Sequence, residues 1–242
     1  MTEPKTTDTI TQDTSTQHVS QSQMKQAPVV AALSSANPQQ RLQAALSIGI
    51  TAEDRHLGVL MQRCRIESDF FVRDMLTWAI TRMPAEVAVP LLIAELSSDV
   101  PQAQGQALHT LSKIGDPCGW EAMDPDVIGD ELIAHSDTAV ARSAWRAAVA
   151  LVPGDDRERL ASSLATQLGR GDMETQKSLS RAIVSLGEDL VSVLDGRLQA
   201  EEETVRTHAM ATQDMFTDPD AGFVHALSEA KRVVALGSEA SA

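Results

Sequence analysis

Residues 100–117 read VPQAQGQALHTLSKIGDP, and the organisation of the chain follows from them. Wound as a helix, this stretch puts Ala103, Ala107, Leu108, Leu111 and Ile114 on one apolar stripe. Gly115 follows directly as a helix stop, and Asp116-Pro117 supplies a capping carboxylate and a first-turn proline for the next helix. The segment reads as helix, tight turn, helix.

Weaker copies recur on both sides. With Ala103 as position zero, Val72, Val140, Thr175 and Val205 hold the same place. Four residues on come Leu76, Ala107, Ala144, Leu179 and Ala209; eight on come Ile80, Leu111, Ala148 and Ile183, with Gln213 the polar exception. Eleven on come Met83, Ile114, Leu151, Leu186 and Phe216. The copies lie 31, 37, 35 and 30 residues apart, the period of a helical solenoid. Acidic residues just ahead (Asp69, Asp99, Asp137, Asp172 and Glu202) are expected to cap these helices. The second helices carry faces such as Val89, Leu92, Ile93 and Leu96, or Ala161, Leu164, Ala165 and Leu168. An earlier hairpin starts at Asn37-Pro38, its first helix stopping at Gly49 and its second carrying Leu57, Leu60, Met61 and Cys64. The expected fold is all-α, a right-handed α-solenoid of about six helical hairpins over residues 28–236. Residues 1–27, dominated by Thr, Gln and Ser, are expected to form a disordered tail, and 237–242 a frayed end.

The segments AVPLLIAELSSD (88–99) and ALHTLSKIGDP (107–117), with Val72-Arg73 and Val205-Arg206 after acidic turns, resemble HEAT repeats. The likeness is to the short bacterial kind found also in phycobilisome-lyase-like proteins. It implies an architecture and no particular function. The arginine that commonly follows the valine is replaced by Gln104, Ala141 and Gln176 in the middle copies, so a ladder of Asp and Arg between repeats is expected to be incomplete there.

Composition narrows the function. Hydrophobic residues make up 43% and aromatics 3%, with no tyrosine, so the core must be aliphatic, which suits close-packed helices. The net charge of −14 argues against nucleic acid and against an anionic membrane surface as partners. Cys64 and Cys118 match no metal spacing and read as free thiols, Cys64 as core; with no signal-peptide pattern the expected location is the cytoplasm. No His pair has ligand spacing, and no phosphate-cradling loop or nucleophile elbow occurs, so no metal, cofactor or catalytic residue is expected.

The preferred reading is a non-enzymatic scaffold holding a protein or peptide on the concave face formed by the second helices. Val59, Arg63, Leu91, Glu95, Val193 and Arg197 fall outside the core set on those helices, and Trp78 lies off its apolar stripe. The insertion PCGWEAMD (117–124) is expected to protrude as a loop presenting Cys118, Trp120 and Met123, with Trp120 a contact residue. Trp145 is expected in the core. The alternatives are a cofactor-handling or lyase-like enzyme, which the resemblance allows, and an assembly or regulatory subunit of a larger complex.

Overall fold

The computed structural model describes residues 29–124, 129–218 and 222–239. The tail at 1–27, the proline of the Asp124-Pro125 helix start and residues 240–242 lie outside the described residues. The fold is all-α, a succession of helical hairpins with no strand among the described residues.

Two compact units divide the chain, Met1–Arg63 with Glu67–Met83, and Cys64–Ile66 with Pro84–Ala242. In the first, α1 (Pro38–Thr51) packs on α3 (Phe70–Thr81), and a 3-10 turn at Asp54–His56 leads into α2 (Leu57–Cys64). The second continues with α4 (Ala85–Glu95), α5 (Pro101–Ile114), α6 (Pro117–Ala122), α7 (Asp130–Ile133), α8 (Thr138–Leu151) and α9 (Arg157–Ala165). It ends with α10 (Met173–Val184), α11 (Asp195–Leu198), α12 (Glu203–Thr217) and α13 (Gly222–Glu239). Within this unit the first helices stack in chain order, α5 on α8, α8 on α10, α10 on α12, and α13 packs on α12. The last helix stays regular past Leu236, to Glu239.

The predicted stripes are the core. Val72, Val140 and Thr175 are buried, as are Leu76, Ala107, Ala144, Leu179 and Ala209 four residues on. Trp145 is fully buried, its Nε1 donating to the Ile133 carbonyl at 2.9 Å, and Cys64 is 4% exposed. Capping is mixed. Asp69, Asp137 and Asp172 each accept a first-turn amide as expected, from Val72, from Ala139 and Val140, and from Thr175. Asp99 and Glu202 do not. Pro101 at the first helical position makes Val100 the cap residue, leaving Asp99 one place too early; the longer glutamate side chain of Glu202 instead accepts from the Thr204 hydroxyl at 2.5 Å.

The arginine after the valine position fastens a turn. Arg73 donates to the carbonyls of Glu67 and Ser68, six and five residues back, and Arg206 does the same to Ala200 and Glu201. Arg41 repeats the pattern on Ser35 and Ala36. Each fastens the turn that enters its helix, whose carbonyls would otherwise lack donors. Gln104 reaches Leu96 O, and Gln176 reaches Gly169 O and Gly171 O at 3.4 Å.

One glycine departs from the sequence expectation. Gly49 does not stop α1, which runs to Thr51 and turns at Ala52 with φ 49°. Its missing side chain makes room for Trp78, whose ring a Cβ there would meet at 2.3 Å, and for the Ala79 Cα at 2.9 Å. Gly49→Ala is therefore expected to destabilise the first unit by about 1–3 kcal/mol, although alanine is the better helix former by about 1 kcal/mol. An unchanged urea midpoint would show that the Trp78 ring yields freely.

Candidate functional site: a basic cleft on an acidic protein

The core stripes of α8 and α10 turn inward at Val140, Ala144 and Ala148, and at Thr175, Leu179 and Ile183. At about 100° per residue, positions two and six after the zero position point nearly opposite that stripe. They are Arg142 and Arg146 on α8, and Lys177 and Arg181 on α10. Because the two helices are neighbours in the stack, these four cations line one open cleft of about 320 Å³. Ser178 and Ser185 add hydroxyls, Val149 and Ala182 are its apolar contribution, and Glu174 is its single carboxylate.

The charges are poorly compensated. Glu174 stands 3.9 Å from the Lys177 ammonium. Among the described residues no carboxylate forms an ion pair with Arg142, Arg146 or Arg181. The Arg142 Nε is buried and has no hydrogen-bond partner. Arg146 lies back along its own helix, Nε donating to the Arg142 carbonyl at 3.1 Å. Burial first, and the Arg142 charge second, lower the Arg146 pKa from its ordinary value. Like charges at this helical spacing cost a few tenths of a kcal/mol, a repulsion that a bound anion would relieve.

A second polar cluster looks at first like chemistry. Ser180 Oγ lies 3.0 Å from His208 Nε2, the separation of a serine and its general base. The proton is in the wrong place. The Gly169 amide donates to Nδ1 at 2.9 Å, which leaves Nε2 as the protonated nitrogen, facing the Gln176 carbonyl at 3.0 Å. An Nε2 that already carries a proton does not accept one from Ser180. Ser180 also meets Thr212 Oγ1 at 2.7 Å, and Thr212 donates to the His208 carbonyl at 2.8 Å. All three side chains are 0% exposed, and burial pushes the His208 pKa down to about 4 against the opposing hydrogen bond to Gln176. The cluster pins α10 to α12.

The residues singled out from the sequence fall elsewhere. Val59, Arg63 and Trp78 lie in the first unit, and Leu91, Glu95, Trp120, Val193 and Arg197 in the second. Trp78 and Leu91 are exposed, at 37% and 45%, while Val59, Val193 and Arg197 are half-buried. Arg63 is occupied by Glu67 at 2.7 Å, and Glu95 by Arg65 at 3.1 Å. The expected 117–124 loop is corrected: it opens as helix α6, with Trp120 6% and Met123 1% exposed, and only Cys118 of the three faces solvent. Trp120 Nε1 donates to Asp156 at 2.8 Å, and Arg159 clamps both oxygens of Asp124, at 2.7 and 2.8 Å. Those contacts hold the insertion down and remove Trp120 from the contact surface. Among the described residues, no group of three or more His, Cys, Asp or Glu is placed to hold a metal ion, and no helix is long and apolar enough to cross a membrane.

No family model matches the chain, and no curated protein matches it in sequence. Solved structures align with it at low similarity. An engineered protein aligns at 20% identity and TM-score 0.43 over 80% of this chain and 96% of its own. The complex of CpcE and CpcF of phycocyanin lyase from Nostoc sp. PCC7120 aligns at 17% identity and TM-score 0.43, over 91% and 84%. Human deoxyhypusine hydroxylase, in complex with glycerol, aligns at 15% identity and TM-score 0.43, over 89% and 97%. At this distance none of these likenesses bears on activity.

Proposed function

We propose that the chain is a non-enzymatic interaction module that takes an anionic segment of a partner protein into the cleft between α8 and α10. One observation carries this: four cations converge on one cleft against one carboxylate, in a chain with 34 acidic and 20 basic residues. The partner would therefore sit on the first helices, not on the second helices that the sequence pattern favours. Charge-assisted contacts of this kind contribute about 1.5–3 kcal/mol each. A nucleic-acid ligand fits less well, because no aromatic ring lines the cleft to stack a base and the surrounding charge repels a polyanion. Two free cysteines fit a reducing, cytoplasmic setting.

The test is fluorescence anisotropy with a labelled Glu-rich dodecapeptide against the full chain. Binding is expected to weaken with salt, and Arg142→Glu with Arg181→Glu is expected to weaken it at least tenfold while the circular dichroism spectrum stays unchanged. Absence of binding, or binding indifferent to the charge reversal, would refute the proposal.

A further inference from the structure

We infer that the anion this cleft is shaped to receive is a phosphoryl group carried on a serine or threonine of the partner. The inference rests on the interaction module proposed above and specifies its ligand.

Charge density is the first argument. Arg142, Arg146, Lys177 and Arg181 face a single opposing carboxylate, Glu174, which is itself 3.9 Å from Lys177. One carboxylate from a partner leaves most of that excess unneutralised. A phosphoryl group concentrates about −1.5 to −2 charges on three acceptor oxygens at pH 7. The donors suit those oxygens in kind as well as in number. Guanidinium forks engage phosphate bidentately, a lysine adds a point charge, and the Ser178 hydroxyl supplies a neutral donor, whereas Ser185 already donates to the Ala182 carbonyl at 2.8 Å. The repeat geometry places the donors on both walls, since each helix contributes its second and sixth positions.

The unpartnered Arg142 Nε is the second argument. Buried donors are almost always paired in folded proteins. This one belongs to a side chain that lines the cleft and, among the described residues, feels the Asp172 charge without an ion pair to it, so rotation of Arg142 toward an entering oxyanion gives the Nε an acceptor. The third argument is what the cleft lacks. Its apolar lining is two aliphatic side chains, Val149 and Ala182, which offer no platform for a nucleobase. The chain's −14 net charge opposes approach to an anionic lipid surface. A compact dianion on an otherwise modest peptide meets both conditions.

The experiment compares three dodecapeptides of one Gly-Ser-Ala sequence, with phosphothreonine, glutamate or threonine at the centre, titrated into the full chain by calorimetry. The phosphothreonine peptide is expected to bind at least tenfold tighter than the glutamate one, and the threonine peptide not measurably. Arg142→Gln with Arg181→Gln is expected to abolish the difference, and the single variant Lys177→Gln to reduce it, which guards against a folding defect in the double variant. Phosphopeptide affinity is expected to fall as pH drops from 7.5 to 5.5, through the second phosphate ionisation near about 6. Equal binding of the phosphothreonine and glutamate peptides overturns the inference and leaves the interaction module standing. Inorganic phosphate binding as tightly as the phosphopeptide also overturns it, pointing to a free anion as the ligand. No binding by any anionic peptide overturns both readings.

Discussion

Replacing Glu67 with alanine is expected to cost the first unit about 3–5 kcal/mol, the penalty of stranding a buried charge. The Glu67 side chain is 0% exposed and Arg41 6%. Oε1 accepts from Arg41 Nη2 at 2.7 Å and from the Asp69 amide at 2.8 Å; Oε2 accepts from Arg41 Nε and Arg63 Nε, both at 2.7 Å. These donors all lose their acceptor in the variant, while Arg41, 6% exposed, keeps the Ser35 and Ala36 carbonyls. Burial alone raises the carboxyl pKa, but the hydrogen bonds from Arg41 and Arg63 override it and hold the group at about 2. A carboxyl depressed in the folded state contributes stability that is present above its unfolded pKa of 4.5 and drains away as pH falls toward 2. Native-state hydrogen exchange of the α1 and α3 amides reads the loss in the right unit. A cost below about 1 kcal/mol at neutral pH would mean the guanidiniums find other partners.

The second unit is expected to respond in a different acid range. His208 titrates at 6.5 when unfolded and at about 4 when folded, so between those values the unfolded chain binds more protons. Stability therefore falls as pH drops from 6.5 to 4 and levels off below, by about 3 kcal/mol in all. Protonation would put a hydrogen on Nδ1, where the Gly169 amide already donates. Urea midpoints taken every half pH unit check this, with His208→Gln as the control expected to flatten the profile. A wild-type midpoint that holds level from pH 6.5 to 4.5 would remove the neutral, buried imidazole from the account.

The part of the fold that periodicity controls was readable from the chain alone. Apolar residues at 3.6-residue spacing have to be covered, so the stripes through Ala103, Val140 and Thr175 became the stacked core. What escaped was set by contacts between residues far apart in sequence. Glu67 carried no local signal, because its partner Arg41 lies 26 positions away. Trp120 looked exposed because Asp156, 36 positions on, was invisible to local pattern. Gly49 resembled a stop because nothing nearby announced the Trp78 ring that needs its space. The basic cleft was the exception: Arg142 and Arg146 recur as Lys177 and Arg181 at the same two register positions. The net charge of −14 masks it, since a sum over the whole chain carries no position for the cations.

The turn entering α8 shows how far these copies are from interchangeable parts. Where three other repeats hold the carbonyl six residues back with their own Arg41, Arg73 or Arg206, this one carries Ala141, and Arg170, ahead of the following helix, donates to His135 O instead. A repeat excised or transplanted singly thus leaves behind a turn that depended on its neighbour, or arrives without the residue that closes its own. Any attempt to shorten or extend this protein has to cut in pairs, keeping 135 and 170 on the same piece.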